Sequence, residues 1–443
     1  MKNIAKVWRS STAFLLSAFS FLILITSCSN ELDEALQPAN NGTLQFVVSD
    51  FPMFGEGTQT RVIGTQDEGK TAWENGDQII VTLISQKYGE QAAALIYNGS
   101  SWSTEASLSY LENETPSVSV FYAPCYEVTE EGTMQLRSGM QLGMTEYLSG
   151  NYEIENGIMT ITFEGAIRDY SRLRIATMPE ATLTVTTTDF TPAGATEVAT
   201  AAYTLTTDNN GNAFLYGVFA EGATVSVKQG DVILKDYTFT ADKNPGGSEH
   251  NKSYALDARP VIDGTLGGKT TVIKEEVNAL VEQLKEYVDN GITTIIVPGT
   301  EYAMYKSNLG TIPAFAEALY LLTDLNEDSP YCGTIDLILP DATEIIDFSF
   351  DSADALKSIT LPKVTTVGDG AFYGCYYLQT ITFGSVVTAI NHNTKAEFHW
   401  VGKKVEGCDL VLNREQVNAE ADYQPNIETR TWWDTEWKSI TLK

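Results

Sequence analysis

Between residues 335 and 383 the sequence repeats itself every 22 residues. Leu339-Pro340 recurs as Leu361-Pro362, Phe350 as Phe372 and Leu356 as Leu378, while Leu337 and Leu339 return as Ile359 and Leu361 and again as Ile381 and Phe383. A unit of this length holds one short strand and a return segment, and it cannot bury its apolar side alone. The units must therefore stack, at a strand spacing of about 4.8 Å, so that their inward positions merge into one core.

Two helices lead into this stack. Thr271–Gly291 sets Val277, Leu280, Val281, Leu284 and Val288 on one face, with Glu275 and Glu276 in its first turn and Gly291 as a stop. A second helix begins near Pro313 and turns Phe315, Leu319 and Leu322 inward. Strands are expected at Ile292–Val297 and Ile335–Leu339. Past residue 390 the pattern breaks: 391–430 departs from the repeat, and Trp437–Leu442 returns as a closing strand.

From Thr43 to about residue 258 the period is that of strands. Apolar runs at 44–48, 79–84, 93–97, 118–122, 158–163, 173–175, 183–185, 203–205, 214–219, 224–227 and 237–239 are punctuated by Asn75-Gly76, Asn98-Gly99, Asn156-Gly157 and Asn210-Gly211, which tolerate the positive φ of tight hairpins. This stretch is about twice one ordinary sandwich of roughly 100 residues, so two tandem β-domains are expected, with a seam near Gly165–Arg168.

The chain opens with Lys2, Lys6 and Arg9, then an apolar run from Ala13 to Ile25, then Thr26-Ser27-Cys28 and polar residues. The run is shorter than the roughly 20 residues a spanning helix needs and reads as a cleaved export signal. Its junction resembles the bacterial lipobox, in which the cysteine is acylated and becomes the first mature residue; Cys28 is the expected lipid attachment, to membrane through its acyl chains. Glu31, Asp33 and Glu34 resemble the acidic tract that sends lipoproteins of the Bacteroides group to the outer face, and they equally suit a solvated tether. The expected location is the outer membrane, lipid-anchored and exposed at the cell surface. The net charge of −30 repels phosphate backbones, and no basic cluster offsets it, so nucleic acid is excluded as a partner.

Thr60-Arg61, then Thr71-Ala72-Trp73-Glu74-Asn75-Gly76-Asp77-Gln78-Ile79, and later Val118-Ser119-Val120-Phe121-Tyr122-Ala123-Pro124, resemble the fimbrillin-like (Mfa-like) family. The resemblance covers roughly 43–258 and implies two transthyretin-like β-sandwiches in a surface lipoprotein or pilus component. It implies in turn that pilus subunits are candidate partners and that Arg61 is a candidate protease-processing site. Read physically, Trp73 is expected as a buried anchor and Asn75-Gly76 as the turn that feeds Ile79–Leu83 into the sheet. Farther on, the run from Ser358-Ile359-Thr360-Leu361-Pro362 to Gly370-Ala371-Phe372-Tyr373-Gly374-Cys375 resembles the BspA-like leucine-rich repeat, plainly over about 330–390. That resemblance implies a surface solenoid associated with adhesion to a protein or glycan ligand on host or neighbouring bacteria.

The expected fold class is mainly β: two tandem transthyretin-like β-sandwiches, then a short leucine-rich-repeat solenoid with leading helices. The expected division is 1–27 signal peptide, 28–42 lipidated tether, 43–165 first sandwich, 166–258 second sandwich, 259–270 linker and 271–443 repeat domain.

Catalytic chemistry is sparse. Only His250, His392 and His399 are present, with no GxSxG, HExxH or Walker-type loop, so no catalytic residue, cofactor or metal is assigned. Asp208–Asn212 imitates the start of a calcium loop, but Ala213 and Phe219 stand where glycine and glutamate are needed, which favours a hairpin turn. Cys375 and Cys332 read as small packed residues, and Trp432, Trp433 and Trp437 as packing at the end of the stack. Tyr373, Tyr376 and Tyr377 are candidate ligand-contact aromatics. The leading expectation is adhesion or ligand binding, with a β-sandwich stalk presenting the repeat as its tip. The alternatives are a fimbrial accessory or anchor subunit, and a glycan-active enzyme built on paired carboxylates.

Overall fold

The computed structural model describes residues 44–52, 70–111, 114–163, 168–308, 310–324, 326–390 and 397–443. Cys28, the expected signal and tether, Arg61, and residues 165–167 of the expected seam lie outside them. The described chain is mainly β and divides into two units, one running up to Asp169 with Ala193–Ala195 added, the other made of Tyr170–Pro192 and Thr196–Lys443.

In the first unit seven strands form one path, in the order Gln45–Val48, Ile158–Thr162, Leu148–Glu155, Ser117–Tyr122, Gln78–Ser85, Gly89–Tyr97, Trp102–Ser103. The strand at Leu148–Glu155 was not foreseen from sequence, and it joins the two halves: Leu148–Gly150 pair with Val120–Tyr122, and Asn151–Glu155 with Ile158–Thr162. Gly150 weakens the strand signal yet is required there, because a Cβ would stand 3.0 Å from the Phe163 ring and 3.2 Å from Val120. Asn156 and Gly157 both take positive φ, 53° and 84°, and close the hairpin as the sequence predicts. Trp73 is half-buried, packs edge-on against Phe51, Trp102 and Tyr122, and donates its Nε1–H to the Ser49 carbonyl at 2.8 Å. Asp77 ties the turn before the strand: it accepts from Glu74 N at 2.6 Å and pairs with Lys70 at 2.6 Å.

The second unit begins with seven strands in which Thr182–Pro192 is shared. Thr182–Thr187 pair with Ala201–Thr206 and Thr184–Thr187 with Val225–Lys228, whereas Phe190–Pro192 pair with Gly217–Phe219. The register shifts between Thr187 and Phe190, where Asp189 takes a φ of 49°, so the strand bends and its apolar side chains stay inward. Phe190, Phe219 and Phe239 stack in series at 4.4 and 4.7 Å. The turn at Asp208 is a hairpin-type closure: its Oδ1 accepts from the N–H of Asn210 at 2.8 Å and of Asn212 at 2.9 Å. The edge strand Ser253–Asp257 pairs in parallel with Arg172–Ala176.

Residues 260–262 then touch the solenoid directly, since Ile296 N donates to Pro260 O and Ile262 N to Ile296 O, both at 2.9 Å. The helix Lys274–Asp289 buries Val277, Leu280, Val281, Leu284 and Tyr287, with Val288 partly buried against the same core. Glu276 reaches back to the N–H of Ile273, which satisfies one orphan donor at the start. At the other end Gly291, at φ 73°, allows Ile292 N to bond Tyr287 O and Gly291 N to bond Val288 O, a Schellman closure. The tip of the Val232 hairpin docks on this helix end, with Asp231 N donating to Asn290 Oδ1 at 2.8 Å and Gln229 Nε2 to Gly291 O at 3.1 Å.

The repeat becomes a six-stranded parallel sheet: Thr294–Ile296, Ile335–Ile338, Leu356–Leu361, Thr380–Phe383, Asp409–Leu412 and Ser439–Leu442. Leu337, Ile359 and Ile381 are in register at the 22-residue interval. A second, shorter parallel sheet of Glu344–Ile345, Thr366–Val367 and Ala389–Ile390 lies on the return side of the rungs. The closing strand is present, and a rung not foreseen precedes it, because Asp409–Leu412 sits inside the stretch read as departing from the repeat. Thr382 pairs with Val411, and Leu410 with Ile440, so the lengthened units keep the sheet in register. Inside, Phe350, Phe372 and Phe398 form a ladder with Phe315 before it and Trp432 and Trp437 after it. Trp432 and Trp437 are buried.

Candidate functional site

Each ladder phenylalanine sets the place of the two residues after it. The next residue in each rung is Asp351, Tyr373 or His399, and the one after is Ser352, Gly374 or Trp400. Backbone bonds hold these columns together: Phe350 N to Ala371 O, Ser352 N to Tyr373 O, Phe372 N to Glu397 O and Gly374 N to His399 O, at 2.7 to 2.9 Å. Ser352, Gly374 and Trp400 share a left-handed backbone, with φ of 55°, 68° and 65°. Glycine takes that conformation freely, whereas a bulky residue there costs about 1 kcal/mol or more.

Trp400 is nonetheless 40% exposed. It stands among aromatics from the rung before it and from its own: Tyr373 at 5.2 Å, Tyr376 at 6.1 Å with planes 18° apart, and His399 at 4.6 Å. Tyr373 and His399 lie 16° from parallel at 5.9 Å, and the Lys403 ammonium sits 5.1 Å from the Trp400 ring centre. Four rings from two rungs therefore make one solvent-facing platform with a cation at its side, suited to stacking on a planar or sugar-like group.

Of the three candidate tyrosines, Tyr373 and Tyr376 join this platform. Tyr377 donates its hydroxyl to Glu327 O at 2.8 Å and braces a neighbouring loop together with the Lys404–Glu327 ion pair at 2.6 Å. His399 and Trp400 were not singled out from sequence. The usable signal was Phe398, the ladder residue that precedes them 26 positions after Phe372 rather than 22.

Below the platform, burial pushes the Asp354 carboxyl up to about 6, while its bond from Tyr376 N at 3.2 Å opposes the rise. Cys375 is fully buried and its thiol donates to Phe350 O at 2.9 Å; burial pushes its pKa well above the usual thiol value, as it does for Cys408. Cys332 is half-exposed. Among the described residues no cluster of three or more His, Cys, Asp or Glu is placed to hold a metal ion, and no helix is long and apolar enough to cross a membrane.

Stacked parallel rungs with inward Leu, Ile and Phe define this region as a leucine-rich-repeat solenoid. Residues 331–397 match the family model described as "BspA type Leucine rich repeat region (6 copies)", which is not an enzyme family. No curated protein matches the chain. Among solved structures, a Bacteroides fragilis NCTC 9343 protein described as a "putative cell adhesion protein" is similar at 12% identity and a TM-score of 0.27, over 48% of this chain and 92% of that one.

Proposed function

We propose that the chain is an exported lipoprotein, acylated at Cys28 and held on the outer membrane, that uses its repeat region for adhesion to a protein or glycan ligand. The β units up to residue 258, which we take as two transthyretin-like sandwiches of the fimbrillin-like kind, act as the stalk, and 271–443 as the tip. The observation that supports this reading best is Trp400, a large side chain in a backbone position where the preceding rung has glycine, beside Tyr373, Tyr376 and His399. The indole keeps 40% of its surface exposed in a backbone conformation that costs folding energy, and that exposed aromatic surface is what a ligand can use.

The reading is tested on intact cells. Labelled palmitate incorporation should vanish in Cys28→Ala, and protease shaving should remove the protein from wild-type cells. Arrays of extracellular-matrix proteins and glycans, probed with the whole soluble chain, should give signals that fall at least tenfold in Tyr373→Ala/Trp400→Gly. Binding that is indifferent to this pair would sink the tip assignment, and a protein resistant to shaving would sink the surface assignment.

A further inference from the structure

The short parallel sheet on the return side of the solenoid ends abruptly at its first rung. Thr366–Val367 pairs on both edges, with Glu344–Ile345 before it and Ala389–Ile390 after it, whereas among the described residues Glu344–Ile345 pairs on one edge only. The preceding stretch of chain forms no return strand among the described residues; it makes the hairpin of Met304–Lys306 and Thr311–Pro313 and the helix Ala314–Leu321, whose Met304, Thr311, Pro313 and Phe315 face this edge across cavities.

The repeat itself shows which groups are left over. Gly368 N donates to Ile345 O of the rung before, and Asp369 O and Ala371 O accept from Phe348 N and Phe350 N of that rung. Counting back 22 residues, the corresponding groups of the first rung are Ile346 N–H, Asp347 C=O and Ser349 C=O. Among the described residues no strand pairs with them, and Ile346, Asp347 and Ser349 line two cavities beside this edge. A cavity of about 260 Å³ is walled by Tyr302, Pro313, Phe315 and Phe350, and one of about 450 Å³ by Gly310, Thr311 and Phe348; both share Glu344, Ile345 and Ile346. The charged residues among the lining are Glu344 and Asp347, both exposed and both acidic.

We propose that this edge binds an extended peptide as an added parallel strand. The peptide backbone bonds Ile346 N–H and the Asp347 and Ser349 carbonyls, as Gly368, Phe348 and Phe350 bond between later rungs. One large apolar side chain fills the smaller cavity, which has room for a ring or a branched aliphatic group. A Lys or Arg nearby faces Glu344 and Asp347. The occupant is thus a peptide segment, apolar at one position and basic beside it. This site is separate from the aromatic platform, and its failure would leave the adhesion reading untouched.

The probe is a random heptapeptide library displayed on phage, selected on the whole soluble protein, with enriched sequences measured by calorimetry. Selection should yield one large apolar residue with a Lys or Arg within two positions. N-methylation of the peptide at alternate residues should weaken binding about tenfold or more, and at the intervening residues far less, because only one set of N–H groups meets the edge. Glu344→Lys, a change on an exposed side chain, should lower affinity about tenfold, and Trp400→Gly should leave it unchanged. Ile346→Pro, checked for folding by circular dichroism, should abolish it. No enriched peptide, or binding indifferent to both N-methylation and Glu344→Lys, would overturn the proposal.

Discussion

Phe350 and Phe372 lie face to face, with ring centres 5.6 Å apart and planes 12° from parallel. Phe372 repeats the relation with Phe398 at 5.7 Å and 9°. Each ring is a shelf for the next, so the rungs share one core and each depends on its neighbours.

Phe372→Ala should therefore be felt along the whole stack. The ring is fully buried between two others, and its loss should cost about 3–5 kcal/mol, with the cavity term included. Denaturant unfolding followed by the fluorescence of the buried Trp432 and Trp437 is the measurement, and a loss below about 1 kcal/mol would mean that the rings do not support one another.

Gly368 tests rung spacing rather than rung content. A Cβ there would stand 2.4 Å from Asp347 N on the preceding rung. Gly368→Ala must push two backbones apart, and a loss of about 1–3 kcal/mol is expected. Gly368 does not have a positive φ, so the loss comes from the close contact and not from a left-handed backbone. Denaturant unfolding of Gly368→Ala is the measurement, and a loss of zero would mean that the rungs are not this tightly spaced.

The Asp354 carboxyl gives the stack a pH dependence of defined sign. Burial raises its pKa from 3.8 to about 6, so the folded chain holds the proton more tightly than the unfolded one. The associated stability is full below the unfolded value and is lost as pH rises through about 6. Because the group is partly solvated, about 1 kcal/mol is expected rather than the full linkage value. Asp354→Asn, whose amide oxygen can still accept from Tyr376 N, should flatten the stability curve between pH 4 and 6; an unchanged slope would assign the dependence elsewhere.

Trp400→Gly should separate stability from binding. Glycine suits the left-handed backbone, so thermal stability should hold or rise by up to about 1 kcal/mol, while ligand signal on the aromatic platform falls. A large drop in stability would make Trp400 a packing residue instead.

Much of this fold is legible in the residues. The 22-residue interval gives the register of Leu337, Ile359 and Ile381, and the 3.6-residue pattern of Val277, Leu280, Val281 and Leu284 gives the leading helix and its buried face. Legibility stops where tertiary contacts override local signal. Gly150 reads as a strand breaker, yet it is the residue that lets Leu148–Glu155 pass close to Phe163 and pair on both sides. Phe398 stays on the ring ladder and the Asp409–Leu412 rung keeps register although the units there are longer than 22 residues, so a fixed interval does not find them. With Phe398 unrecognised, Trp400 had no column to belong to, and half of the aromatic platform was invisible beside Tyr373 and Tyr376.

Continuity of the stack through these longer units is the central claim, and engineered disulfides test it most directly. Ser358 and Thr380 are register partners across regular rungs, as are Thr382 and Val411 across a lengthened one, and neighbouring strands bring such Cα atoms within bonding range of a cysteine pair. In a Cys28→Ser, Cys332→Ser background, Ser358→Cys/Thr380→Cys and Thr382→Cys/Val411→Cys should both close internal disulfides to a similar extent, read by mass spectrometry of proteolytic fragments. A bridge in the first pair without one in the second would contradict a single solenoid extending to residue 442.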